Sequence, residues 1–185
     1  LGDVYKRQIT GGIDISVGSV VAMVCMMLAW MMERGNIGAF PAILIVLVTG
    51  CIFGLVQGFL VAYLKIQPFI VTLATMNVAK GLAYVYTGGS PVRVVTKEWQ
   101  FLGAGYVGGV PTPVILLAAV LIITAIIMNK TKLGRHIYAV GGNSQAARFS
   151  GISTARVKFL VHTYSGIMAG LAGVVLASRM YSGQP

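Results

Sequence analysis

The sequence predicts an all-α, polytopic transmembrane helix bundle with about five spanning segments and a short cytoplasmic helix. Of its 185 residues, 57% are hydrophobic and only 10% are charged, and the mean hydropathy is +0.85. A soluble domain carries roughly a quarter charged residues, because its core needs a polar shell. The composition and the long apolar stretches therefore indicate a chain whose natural solvent is lipid.

A helix needs about 20 mainly apolar residues to cross a bilayer. The stretches that meet or nearly meet this length are 13–32, 41–64, 68–86, 110–128 and 157–177. Helix breakers stand at their beginnings, as Pro41 and Pro68 do for the second and third stretches. Proline is tolerated in the first helical turn, where its missing N–H would have no partner. Each stretch is therefore predicted to be one span.

The basic residues predict the orientation of these spans. The formal net charge is +10, and the connector 129–156 contains no acid and these basic residues: Lys130, Lys132, Arg135, Arg148 and Arg156. Basic residues concentrate on the cytoplasmic side of membrane proteins. We therefore expect 129–156 and 65–67 to face the cytoplasm, and 33–40 and 87–109 to face outward.

Two other uses of these residues are not expected. The basic residues lie between apolar runs and form no aromatic–basic module of the kinds that bind nucleic acid. Cys25 and Cys51 lie inside apolar stretches without metal-ligand spacing, so they are interpreted as small packing residues and no metal site is predicted.

The ends of the chain are interpreted separately. The string Asp-Val-Tyr-Lys-Arg-Gln at 3–8 resembles the translated end of a transposon adapter used in sequencing libraries. Residues 1–8 are therefore expected to be a scar and are left out of the fold. Residues 9–185 are interpreted as a partial transmembrane domain that is truncated at both ends.

Small residues recur at helical spacing in two of the predicted spans. Gly50, Gly54 and Gly58 are four residues apart, and Gly166 and Gly170 repeat that spacing. Rows of small residues let helix backbones approach closely, which is how helices associate in lipid. These rows are predicted to be packing surfaces.

A polar motif opens the first apolar stretch. It contains Gly11, Gly12, Asp14 and Ser16, and an ionisable residue at such a place is costly unless its charge is satisfied. In one interpretation, Asp14 or Ser16 caps a helix by accepting a backbone N–H. In the other, the motif is a broken helix near the middle of the membrane that lines a transport path. The two interpretations are compatible, and a direct solute contact by Asp14 is a further alternative.

Other polar residues lie within the spans. Asn77 and Lys80 are one helical turn apart, and they would line a polar path unless Lys80 extends to the interface. Gln57 could bond to another helix or touch solute. His162 has no acidic neighbour in sequence and is interpreted as a satisfied polar residue.

A short helix is predicted at 143–152. Asn143 or Ser144 can cap it and Gly151 can end it. A helix of about two turns is unstable alone. It therefore docks either on the membrane face of its own protein or in the groove of a partner.

Several motifs together resemble the permeases of ribose/galactose/xylose-type bacterial ABC importers. They share order and spacing over 9–185 and include Gly-Gly-Ile-Asp-Ile-Ser-Val-Gly-Ser at 11–19, Gln-Pro-Phe-Ile-Val-Thr-Leu at 67–73, Tyr-Thr-Gly-Gly-Ser-Pro-Val at 86–92, Gly-Val-Pro-Thr-Pro at 109–113 and Leu-Gly-Arg at 133–135. The resemblance implies a multi-pass protein of the bacterial inner membrane that forms the path for a monosaccharide. It also implies three partners: an ABC ATPase subunit that binds ATP and magnesium, a periplasmic sugar-binding protein, and a second permease copy. No cofactor is expected on this chain.

The same resemblance gives the short helix a role. ABC importers carry a cytoplasmic Glu-Ala-Ala-x-x-x-Gly element, the coupling helix, that inserts into the ATPase. The matching residues here are Gln145, Ala146, Ala147, Arg148 and Gly151, with Asn143 at the start of the helix. Gln145 stands in place of the acid, so no ion pair is implied there.

Rival functions lack their motifs. No phosphate-binding Gly-x-x-x-x-Gly-Lys-Ser/Thr sequence occurs, so no ATPase activity is expected of this chain. An ion-coupled secondary transporter would be expected to have paired intramembrane charges, and only Asp14 is available. A membrane enzyme would need paired carboxylates, a zinc motif or a nucleophile elbow. Permeases for nucleosides or branched-chain amino acids remain the alternatives within the ABC class.

Overall fold

The computed structural model describes residues 14–35, 37–93, 102–180 and 182–183. Its helices are α1 (Val17–Glu33), α2 (Ala39–Ala62), α3 (Pro68–Thr87), α4 (Thr112–Lys130), α5 (Lys132–Gly142), α6 (Ser144–Phe149) and α7 (Thr154–Met180). Its strands are β1 (Val92–Arg93), β2 (Tyr106–Val107), β3 (Val110–Pro111) and β4 (Ser182–Gly183). The expected scar at 1–8 lies outside the described residues.

Four helices, α2, α3, α4 and α7, are long and apolar enough to cross a membrane. Helix α1 is also apolar but has 17 residues, because the chain at 14–16 is not yet helical. The predicted all-α architecture is confirmed. The predicted start of the fourth span is wrong, since Val110 and Pro111 form a strand and α4 begins at Thr112.

The closest helix pair is α2 with α7, and glycines make that approach possible. A Cβ atom on Gly50 would lie 2.7 Å from the carbonyl oxygen of Gly166, and one on Gly54 would lie 2.6 Å from that of His162. A Cβ atom on Gly58 would lie 2.8 Å from the carbonyl oxygen of Phe159. The two backbones are therefore in direct contact, and the predicted packing role of the glycine rows is confirmed.

Helix α1 lies in the middle of the bundle and forms its main core. Its Met23, Met26 and Leu28 are almost completely buried, and they pack with residues of α2, α3 and α7. The Trp30 ring lies 5.7 Å from that of Tyr86 on α3. The buried methionines of α1 thus fill space between helices.

Cys25 belongs to the same core. Its thiol donates to the carbonyl oxygen of Gly173 on α7 at 3.0 Å. At the same crossing, a Cβ atom on Gly173 would lie 2.6 Å from Val24 Cγ1. Cys25 therefore packs α1 against α7, as the sequence indicated, and both described cysteines are free thiols.

Short strands close one end of the bundle. Strands β2 and β3 pair antiparallel around Gly108 and Gly109, whose φ angles of 58° and 84° suit glycine. Strand β1, just after α3, pairs antiparallel with β4, just after α7. The β1–β4 pairing connects the ends of α3 and α7 on the side predicted to face outward, and β2 and β3 form a local hairpin before α4.

Gly54 provides a test of the glycine crossing. Gly54→Ala places a methyl group against backbone on α7 that cannot move aside, so we expect a loss of about 1–3 kcal/mol in the free energy of unfolding. Gly81→Ala on α3 is the matched control, because no atom lies within 4 Å of its Cβ position. That change should be neutral or stabilising, since alanine favours helix by about 1 kcal/mol over glycine. Thermal unfolding of the full-length protein in detergent measures both, and equal melting temperatures would contradict the described crossing.

Candidate functional site

The polar motif that precedes α1 forms a compact turn. A carboxylate oxygen of Asp14, Oδ1, accepts the backbone N–H of Ser16 at 2.7 Å and the Ser16 hydroxyl at 2.6 Å. Ser16 occupies the N-cap position, but its side chain makes no capping hydrogen bond to the helix. Of the two capping candidates, Asp14 accepts a backbone N–H at the start of α1, and the alternative in which Ser16 does so is wrong. Ser16 points to another helix instead.

Gln57 completes this polar group from α2. Its side-chain Nε2 donates to the Ser16 hydroxyl at 2.7 Å, so hydrogen bonds run from Gln57 through Ser16 to Asp14. Gln57 is 2% exposed and Ser16 is 1% exposed. Gln57 therefore bonds across helices, one of the two roles that the sequence left open for it. We call Asp14, Ser16 and Gln57 the polar network.

The polar network lies where α1, α2 and α7 meet. A cavity of about 10 Å³ beside it is also lined by Gly54 and Gly166 of the glycine crossing and by the buried Ser165. That volume is on the order of one water molecule. In this conformation the network joins helices and leaves no room for a solute larger than water. A path along it would require α1 and α2 to separate.

Of the other residues considered for a path, Asn77 and Lys80 do not join this group. Asn77 and Lys80 are both exposed on α3, and neither lines the cavity beside the polar network. Gly11 and Gly12 lie outside the described residues. The structure thus brings together Asp14, Ser16 and Gln57 and leaves Asn77 apart from them.

His162 is buried on α7 beside the glycine crossing. It is 3% exposed, and its Nδ1 lies 2.9 Å from the carbonyl oxygen of Lys158, one turn earlier. Its own carbonyl oxygen is the atom that approaches Gly54. Its surroundings match the interpretation of His162 as a satisfied polar residue.

The predicted short helix exists as α6, with the ends that the sequence indicated. The Asn143 side chain caps it, because Oδ1 accepts the backbone N–H groups of Gln145 and Ala146, each at 3.0 Å. After Phe149 the chain turns through Gly151, whose φ of 81° lies in the left-handed region. Ser144 is the first helical residue, so the alternative in which it caps is wrong.

Helix α6 has a buried face and an exposed face. Ala147 is 4% exposed and packs into a small core that also contains Met128 of α4, Ile137 of α5 and Val157 of α7. Gln145, Ala146 and Arg148 are exposed, so the two adjacent alanines lie in different environments. Phe149 is 92% exposed.

Phe149 was not among the candidate residues predicted from the sequence. The available signal was a large apolar residue at the end of a short helix whose other residues, 144–148, are small or polar. Full exposure of a phenylalanine is unusual, since burying such a side chain is worth about 1.5–3 kcal/mol. The exposed face of α6 therefore combines one large apolar side chain with one cation, Arg148.

Helix α5 was also missed. Its Thr131 cap accepts the N–H of Gly134 at 3.3 Å, and Gly134 lies directly against the Met128 carbonyl of α4, where any side chain would clash. From the sequence, this segment was interpreted only as part of the basic connector 129–156. The close approach of α5 to the end of α4 is the reason that a glycine stands there.

Comparison with known proteins gives a consistent set of relatives. The family model described as "Branched-chain amino acid transport system / permease component" matches residues 7–185. The ribose import permease protein of Bacillus subtilis is 40% identical over 179 residues, which cover 96% of this chain and 55% of that protein.

Two further relatives, both from Escherichia coli, are named as permeases for other sugars. The galactofuranose transporter permease protein is 39% identical over 170 residues, covering 91% of this chain and 49% of that protein. The L-arabinose transport system permease protein is 44% identical over 130 residues, covering 70% and 40% respectively. The chain therefore spans about half the length of the curated relatives it matches. No solved structure matches it.

The polar network provides a prediction about stability. Ser16→Ala removes the bridging hydroxyl, so Gln57 loses its acceptor in a buried site and the free energy of unfolding should fall by about 1–3 kcal/mol. Adding Gln57→Met should restore part of that loss, because removing both partners leaves fewer polar groups unsatisfied.

Thr75→Ala is a suitable control for this double-mutant cycle, since the Thr75 hydroxyl bonds to the Val71 carbonyl of its own helix. Chemical unfolding of the full-length protein in detergent measures the cycle. Additive effects of Ser16→Ala and Gln57→Met would show that the two side chains are not coupled.

Proposed function

We propose a transport function for this chain on one premise: it belongs to the family described as branched-chain amino acid transport system / permease component, matched over residues 7–185. It is a multi-pass membrane protein with four helices long and apolar enough to span a bilayer. We propose that the complete protein is the permease subunit of an ATP-driven importer. It would form the path for a monosaccharide, a ribose-like pentose or a hexose.

This proposal rests on the names of the relatives. Proteins 38–44% identical to this chain are named as permeases for ribose, arabinose and galactofuranose. The family description mentions branched-chain amino acids, but these relatives favour a sugar over an amino acid or a nucleoside. An ion-coupled secondary transporter is not favoured either, because the cited relatives are import permeases and transport-system permeases.

We propose the following partners. A separate ATPase subunit would bind ATP and magnesium and carry out hydrolysis, so this chain would not itself be an enzyme. A periplasmic sugar-binding protein would deliver the solute, and a second permease copy would complete the path in the bacterial inner membrane. Docking of the binding protein is proposed at residues 88–109, of which 94–101 lie outside the described residues.

The contacts within the chain suggest how ATP hydrolysis would be coupled to opening of the path. Helix α6 would receive the motion of the ATPase, and Ala147 would transmit it because its side chain is buried against Val157 of α7. Helix α7 in turn packs along the glycines of α2, the helix that carries Gln57. A shift of α7 would therefore move α2 relative to α1, where Gln57 meets Ser16. The polar network would open or close with it.

Phe149 is proposed as the anchor of α6 in the ATPase. Binding energy at interfaces is concentrated in a few large side chains that enter pockets of the partner. Phe149 is the most exposed of the large hydrophobic side chains described, at 92%. Asn143 and Gly151 fix the two ends of α6, and Ala147 holds its inner face. Phe149 would therefore be presented on a rigid base.

Energy coupling separates the proposed function from an ion-coupled one. In cells expressing the full-length permease with its neighbouring ATPase and binding protein, labelled ribose uptake should continue when an ionophore collapses the membrane potential. The same uptake should stop when ATP is depleted, because the conduit opens only with hydrolysis. Uptake that follows the potential and not ATP would refute the importer mechanism.

Phe149→Ala tests the anchor. A hot-spot truncation costs at least about 2 kcal/mol, so the affinity of the full-length permease for its ATPase should fall about 30-fold. Phe40→Ala is the matched control, because Phe40 is 73% exposed and lies at the start of α2, away from α6. Binding is measured in detergent with purified subunits. If the two variants bind the ATPase equally well, Phe149 is not the anchor.

A further inference from the structure

A cavity of about 570 Å³ lies beside α6, on the side of the molecule predicted to face the cytoplasm. One wall is the turn between α2 and α3, at 65–68. The other is the junction between α6 and α7, at 152–155. Three cations line it: Lys65 from the turn, Arg148 from α6 and Lys158 from α7. It is separate from the polar network, with which it shares no residue.

The cavity carries an uncompensated positive charge. No acidic residue lines it, and within the described ranges none of its three cations takes part in an ion pair. The described acids are Asp14, which belongs to the polar network, and Glu33, at the far end of α1. Like charges brought together around a cavity repel one another unless an anion lies between them. The chemistry that the cavity would recognise is therefore anionic.

The backbone at Lys65 adopts a conformation that is uncommon for a residue other than glycine. Its φ of 56° lies in the left-handed region, and Lys65 is the one non-glycine residue with positive φ in the described part of the chain. Glycine adopts this conformation without cost, and it is the usual residue just past a helix end. Here the conformation belongs to the turn that ends α2, in which the backbone N–H of Ile66 donates to the carbonyl oxygen of Leu60, and this turn holds Lys65 at the cavity.

Beside the cations the lining is mixed, because Gln67, Ser153 and Thr154 contribute polar groups as well. Val61, Ile66 and Ile152 contribute apolar surface next to the cations. Helix α2 ends at Ala62, α3 begins at Pro68 and α7 begins at Thr154, and all three helices are candidate spans. A bilayer crossed by these helices would place the cavity at the level of the lipid headgroups. A ligand at this depth has an anionic head beside an apolar body.

We propose that this cavity binds the phosphate group of an anionic phospholipid. Lys65, Arg148 and Lys158 would contact the phosphate, and Val61, Ile66 and Ile152 would contact the first carbons of the lipid. Because Arg148 lies on α6, a bound lipid would also hold the proposed coupling helix against the membrane face. The inference rests on the membrane-spanning part of the proposed function and not on the identity of the sugar or of the ATPase.

The test uses the full-length permease, purified in detergent, with short-chain phosphatidylglycerol as the probe. The variant Lys65→Gln/Arg148→Gln/Lys158→Gln should bind it at least about tenfold more weakly. The matched control is Lys130→Gln/Lys132→Gln/Arg135→Gln, which removes the same charge from exposed residues of the same side that do not line the cavity. Its affinity should change by less than about threefold, because headgroup attraction falls off within a Debye length.

Two further variants separate binding from folding. The charge-preserving Lys65→Arg/Arg148→Lys/Lys158→Arg should retain most of the affinity. Lys65→Gly should weaken binding while its melting temperature stays the same or rises, since glycine relieves the left-handed backbone. If every variant binds phosphatidylglycerol as the wild type does, or if the control loses as much as the cavity variant, the proposal is wrong.

Other ligands define the remaining outcomes. Phosphatidylcholine should bind weakly. If inorganic phosphate binds as tightly as phosphatidylglycerol does, the cavity is a site for a free anion and the lipid assignment is wrong. If the cavity variant binds lipid normally but no longer assembles with the ATPase, the cavity takes a carboxylate of that partner instead. Sugar uptake is measured separately. A failure of uptake with lipid binding intact would count against the proposed transport function and leave this site standing.

Discussion

The close contact between the backbones of α2 and α7 is the constraint on which the rest of the structure depends. Gly50, Gly54 and Gly58 bring the two helices together at a distance that no side chain could allow. In lipid, apolar side chains gain little by leaving the solvent, so close packing and hydrogen bonds are what hold helices to each other. Because α7 lies this near to α2, it also reaches α1 through Gly173, and the four-helix core follows.

The polar network shows what this packing makes possible. A carboxylate, a hydroxyl and an amide within an apolar bundle would be costly if any of them lost its partner. Here Asp14, Ser16 and Gln57 satisfy one another across two helices, and the glycine crossing brings Gln57 to its position. The same bonds that stabilise this conformation would have to change for a path to open. A site of this kind suits a conduit whose opening is driven from outside the membrane.

The two faces of α6 have different environments, one buried and one exposed. The inward face of α6 joins α4, α5 and α7 through Ala147, so that in the proposed mechanism a force on α6 would be passed to a span. Its outward face presents Phe149, and Arg148 at its end belongs to the basic cavity. Membrane lipid and motor subunit would thus act on neighbouring residues of one short helix.

The sequence alone determined the features that depend on residues close together in the chain. Hydropathy over about 20 residues predicted the spans, the spacing of Gly50, Gly54 and Gly58 predicted a packing surface, and Asn143 and Gly151 predicted the ends of α6. These signals lie within a few residues of each other, so they need no knowledge of the fold. Only the tertiary structure decided that Gln57 bonds to Ser16, 41 residues away, that Asn77 lies apart from them, and that Lys65 meets Arg148 and Lys158. These contacts join residues that are far apart in the sequence, and they depend on the angle and position at which whole helices cross. That geometry is set by packing between helices, which local sequence patterns do not specify.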